Sequence, residues 1–150
     1  QNYFRDTILL IHTNKYKINP DAFPQDEKNF FFLRYLHNNE TINKKLPFIE
    51  DTLIFDKHKI YRIDNQPIEI PEYKNIKLYY REGNKSILLN DFILLTPDEA
   101  DIHEEISILL RAFKGKDDTF IIRETCEYLN GFYGKISREN TAFWLNSDRN

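Results

Sequence analysis

The chain has 150 residues, 41% hydrophobic and 15% aromatic, and its 21 Lys and Arg against 24 Asp and Glu leave a formal net charge of −3. That length and apolar content suit a single folded domain with its own core and exclude wholesale disorder. No apolar run approaches the roughly 20 residues of a membrane-spanning helix, no signal-peptide pattern opens the chain, and the lone Cys126 excludes an intrachain disulfide framework, so we expect a cytoplasmic protein.

A start at Gln1 with no Met anywhere leads us to expect a piece of a longer chain. In residues 2–18, Phe4, Ile8 and Ile11 lie near one helical face with Leu9 beside it, which predicts a first helix. It should stop before Asn19-Pro20, because the residue ahead of a proline avoids helical geometry. Residues 19–29 read as a loop. The dense apolar block 29–37, NFFFLRYLH, suits a buried helix or a buried strand, and Asp26 and Glu27 at a first turn tip the reading towards helix.

From 51 to 95 the pattern changes to short segments punctuated by turns. Asp51–Phe55 and Lys59–Ile63 predict a hairpin around residues 56–58, and the two prolines in 67–71 confine any strand there to an edge. In 75–81, Ile76, Leu78 and Tyr80 alternate with Lys77, Tyr79 and Arg81, the period of a strand. Gly83-Asn84 then turns the chain into Ser86–Leu89.

The strongest local signals belong to 96–116. Thr96 and Glu99 are spaced as a capping box, Pro97 takes the first helical position, and Asp98, Glu99 and Asp101 set negative charge against the positive end of the helix dipole. Ile102, Ile106, Leu109, Leu110 and Phe113 form one apolar stripe, and Gly115 can end the helix. Residues 91–110 contain six acids and no Lys or Arg, so the remainder of the chain sums to +3. A solvated helix face accounts for this acidity, and a docking face for a basic partner or a divalent cation would also use it.

Asp117 or Asp118 should cap a next helix running to about Leu129, with GFYG (131–134) as a turn. Ser137 should cap a last helix holding Ala142, Phe143, Trp144 and Leu145 before Ser147–Asn150 fray. The fold class expected is α+β: N-terminal helices, a central antiparallel β-meander of about four strands, and a C-terminal helical layer covering one sheet face.

The candidate ligand-binding residues are Lys59, Tyr61, Lys77, Tyr79 and Arg81, basic and aromatic side chains interleaved on predicted strands. Rings offer bases a stacking platform and cations hold phosphates, the combination that single-stranded nucleic acid or a nucleotide needs. Lys and Tyr are also ordinary on the solvent side of an amphipathic strand. A helix-turn-helix over 118–146 would start its second helix with Arg138, Asn140 and Thr141, but the connection 130–136 exceeds the three to four residues usual for that motif. Pro20-Asp21 and Asp26-Glu27-Lys28 spell a nuclease-like string inside one short loop, where the acids cannot occupy adjoining strands. Glu99 and His103, one helical turn apart, could be half a metal site or an acid–imidazole pair. Cys126 reads as a small core residue, and four glycines are too few for a phosphate cradle.

These observations favour a non-catalytic binding or regulatory module that recognises a protein partner, or a nucleotide or nucleic acid, with no cofactor and no membrane association. The alternatives are a metal-dependent enzyme acting on phosphodiesters or nucleotides, and a piece of a larger assembly with a DNA-binding C-terminal element.

Overall fold

The computed structural model describes residues 6–148. Its class is α+β, but the N-terminal part is strand where the sequence suggests helix. Thr7–Leu9 (β1) pairs parallel with Lys85–Leu95 (β10), and Thr13–Lys17 (β2) pairs antiparallel with Thr52–Asp56 (β6). The strand period sends Ile8 to one side of the sheet and Leu9 to the other, so adjacent apolar residues serve two cores. Phe4, part of the helical pattern, lies outside the described residues, as do residues 149–150 of the expected frayed end.

The block 29–37 is also a strand. Asn29–His37 (β3) folds back onto Glu40–Lys45 (β4) through Asn38 and Asn39 at φ 50° and 67°. Two successive left-handed residues make the tight turn whose twist matches a hairpin, and Asn tolerates that region. Tyr73–Glu82 (β9) pairs antiparallel with both β3 and β10, completing a five-stranded sheet in the order β1-β10-β9-β3-β4. The alternation over 75–81 and the turn at Gly83 (φ 61°) are as expected.

The hairpin expected over 51–63 does not form. Asp56 accepts a hydrogen bond from His58 N at 3.0 Å and so caps a single helical turn, Lys57–Ile60 (α1). β6 pairs instead with β2 and with Phe48–Ile49 (β5), giving a three-stranded sheet. Arg62–Ile63 (β7) and Gln66–Pro67 (β8) form a small ribbon around Asp64 and Asn65, again at positive φ. The three-stranded sheet and α1 lie against one face of the five-stranded sheet. Between them Leu10, Phe31, Leu33, Tyr35, Leu53, Phe55, Ile60, Tyr61, Ile76, Tyr80, Phe92 and Leu94 are buried in one core.

The helices gather at the other side of the β1–β10 corner. Glu99–Ala112 (α2), Asp118–Phe132 (α3) and Arg138–Asp148 (α4) bury Leu9, Ile11, Leu95, Ile102, Ile106, Leu129, Trp144 and Leu145 with Cys126. They cover only this corner, not a whole sheet face. Gly134 makes the close approach possible, since a Cβ there would meet Thr7 O at 2.9 Å. Asp98, not Thr96, caps α2; Thr96 is buried and donates to Pro71 O, pinning the strand-to-helix junction. Ile102 and Ile106 of the expected stripe are buried, and Gly115 turns the chain at φ 89°. No helix among the described residues is long and apolar enough to cross a membrane.

Candidate functional site

The face of the five-stranded sheet opposite the sandwich core is open over β9, β3 and β4. Register decides what it shows. Directly opposed residues share a face, and the pairs Phe30↔Arg81, Phe32↔Tyr79 and Arg34↔Lys77 place three rings and three cations together. β4 adds Lys45 opposite Phe32 and Asn43 opposite Arg34. β10 adds Leu88 opposite Tyr79 and Asp91 opposite Lys77. Arg34, Lys45, Lys77 and Arg81 thus face a single carboxylate, Asp91, on these four strands.

The rings and cations pack directly against one another. Phe32 and Tyr79 stack with centroids 5.1 Å apart and planes 8° from parallel. The Arg34 guanidinium lies over that pair, its Cζ 4.7 Å from the Tyr79 centroid and 5.6 Å from that of Phe32. Its Nε donates to Asn43 Oδ1 at 2.8 Å, which fixes the plane of the guanidinium. Beneath this cap Phe32 is only 5% exposed although it faces away from the main core. Lys45 Nζ lies 4.8 Å from the Phe30 centroid, and Arg81 Nε donates to Gly83 O at 2.7 Å.

Arg34 divides two depressions. One, of about 280 Å³, is lined by Phe30, Phe32, Arg34, Asn43, Lys45 and Arg81. The other, of about 430 Å³, is lined by Arg34, Leu36, Thr41, Asn75, Lys77 and Asp91 among others. Leu36 and Leu88, 58% and 50% exposed, add apolar edge to the same surface.

The five residues singled out in the sequence separate into two groups. Lys77, Tyr79 and Arg81 come together on the open face. Lys59 sits exposed on α1, and Tyr61, 1% exposed, closes the sandwich core against Tyr35 at 5.5 Å, so neither joins them. The reason is the helical turn at 57–60, which replaces the strand that would have aligned 59 and 61 with the sheet. Phe30, Phe32 and Arg34 lie in the block 29–37, whose apolar density suits helix or strand alike, and Lys45 lies in β4, a segment with no apolar run to mark it. The Asn-Asn turn followed by the alternating residues of β4 was the available signal.

Other candidate groups are consumed by packing. Asn140, 2% exposed, accepts from Lys15 N at 2.7 Å and donates to Lys15 O at 3.1 Å, completing the edge of β2 as another strand would. Thr141 is fully buried with its hydroxyl on Ser137 O. Two of the three residues offered for DNA reading are therefore internal. On α2, Tyr128 and Tyr133 both donate to Glu105, and burial with that carboxylate pushes the Tyr133 hydroxyl up to about 12. Glu99 turns to His12 and Lys57, with His12 Nδ1 at 3.3 Å and Lys57 Nζ at 3.2 Å. The acids of α2 thus brace the helix layer as well as meeting solvent.

No protein-family model matches the chain, and no curated protein or solved structure matches it.

Proposed function

We propose that the protein is a non-catalytic binding module whose open sheet face recognises single-stranded nucleic acid. The observation that supports this reading most is the Arg34 guanidinium set against both rings of the Phe32–Tyr79 pair, between two depressions edged by Lys45, Arg81 and Lys77. A guanidinium resting against two rings sets a delocalised cation beside their faces, and nucleobases stack on aromatic rings and on guanidinium planes alike. The cations at the rim supply the positive charge that holds the backbone of a strand whose bases lie on the sheet. The acids gathered at α2 oppose adhesion of polyanions there and favour approach of the ligand to this face.

Titration of a short fluorescent single-stranded oligonucleotide, followed by anisotropy at low salt, tests the proposal. Lys77→Ala and Arg81→Ala should weaken binding and each lower the slope of log affinity against log salt by about 1. Arg34→Gln should lose affinity for bases as well as phosphate. No binding by the wild-type protein at low salt, or binding untouched by these changes, overturns it; capture of an acidic peptide by the same face would point instead to a protein partner.

A further inference from the structure

The geometry points to a divalent metal site at the junction of the three layers, held by His12, His58 and Glu99. These side chains come from three elements that share no run of sequence, yet one donor atom from each lies within 4.8 Å of the other two. The convergence follows from the fold. Thr13 pairs with Asp56 across β2 and β6, so His12 immediately precedes that pair and His58 follows it by two residues. Lys57 N donates to His12 O at 3.1 Å and Asp56 caps the turn through His58 N, which fixes both backbones. The two imidazoles meet edge to face with centroids 5.0 Å apart. Glu99 is the first residue of α2, delivered by a junction that Thr96 pins through Glu72 O and Pro71 O.

The donor set fits an ion of the zinc class. Two imidazoles and one carboxylate are intermediate ligands suited to Zn²⁺, with bonds of about 2.0–2.2 Å that place tetrahedral donors about 3.3 Å apart. His12 Nδ1 and Glu99 Oε1 already have that separation, 3.3 Å. The His58 donor lies within 4.8 Å of the other two, and its exposed side chain has rotamers open to it for the remaining approach. Lys57 has a different part. Its side chain is 7% exposed and its Nζ holds Glu99 Oε2 at 3.2 Å, which leaves Oε1 turned towards the histidines. A partner on the distal oxygen orients a carboxylate ligand as supporting hydrogen bonds do in other metal centres.

Three protein ligands leave a coordination position free, the pattern of sites that bind water or a small ligand on the metal. His12 and Glu99 also line a cleft of about 390 Å³ with Thr13, Phe143, Trp144 and Ser147, which would give such a ligand room. The set differs from the Glu99–His103 pair that helical spacing suggests, and it shares no residue with the open sheet face, so either proposal can fail without the other.

Zn²⁺ titration of the full chain by calorimetry, with Co²⁺ absorption as the reporter of ligand geometry, tests the site. We expect one saturable ion per chain, weakened at least ~10-fold by His12→Ala, by His58→Ala and by Glu99→Gln, with loss of the tetrahedral Co²⁺ bands. His103→Ala should leave the affinity unchanged. Both His side chains are exposed, so their variants should keep the wild-type circular dichroism, and His12→Gln and His58→Gln serve where an alanine variant does not. Absence of saturable Zn²⁺ binding, binding indifferent to the His12 and His58 substitutions, or binding lost with His103→Ala overturns the inference.

Discussion

The two faces of strand β3 carry nearly the same chemistry to opposite ends. Phe31, facing the sandwich, packs on Phe23, Phe48 and Tyr80 in a dry core. Phe32, one residue on, is just as well covered, but its cover is Tyr79 and a guanidinium. The first face excludes water with uncharged rings and aliphatic side chains. The second does so with a charged plane whose outer side remains available. A ring buried under Arg is therefore a different object from a ring buried under Phe, because its cover is a charged group that borders solvent.

The largest expected effect lies on the inner face. Phe31→Ala should cost about 3–5 kcal/mol by chemical denaturation, the loss of a fully buried ring with the cavity it leaves. Arg34→Gln, on the outer face, should cost no more than ~1 kcal/mol, the scale of an exposed cation–π contact. Equal losses at the two positions would erase the contrast.

Alkaline pH separates the faces next. Burial raises the Tyr35 hydroxyl to about 12, and burial followed by the neighbouring Tyr35 raises Tyr61 further. The native state therefore keeps protons that the unfolded chain releases above about 10. That contribution is complete below pH 10 and fades as pH rises through 12, so unfolding free energy should fall by on the order of 2 kcal/mol across that window. Tyr35→Phe should flatten the fall, which urea midpoints collected between pH 9 and 12 would show.

Tyr61 gives a subtler test. Its buried hydroxyl has no hydrogen-bond partner among the described residues. Removing an unsatisfied polar atom while keeping the ring should stabilise the protein, so Tyr61→Phe should raise the melting temperature, by roughly 1 kcal/mol in free-energy terms. A loss instead would mean that the hydroxyl contributes to the core. Smallest of all, Lys77→Ala should shift stability by no more than about 0.5 kcal/mol, as solvent-side substitutions do. Calorimetric melting would check it.

Much of the β9–β10 hairpin and all three long helices were legible in sequence, because their signals are local. Alternation at 76–81, a glycine turn at 83, an acidic first turn at 98–101 and a capping Asp117 each act within a few residues. The site was half legible for the same reason. Lys77, Tyr79 and Arg81 announce themselves by period two, whereas Arg34 and Phe32 depend on a partner strand more than forty residues away.

The sequence by itself determined the turns at Gly83 and Gly115, the alternation over 76–81, and that acid gathers at one helix. Tertiary structure decided that 7–9, 13–17 and 29–37 are strands, because a short apolar run satisfies either period until another strand offers it hydrogen bonds. It decided too that Asn140 would complete the edge of β2 while two histidines and a glutamate met at a junction. Pairing register converts positions distant along the chain into neighbours, and no local propensity contains that information.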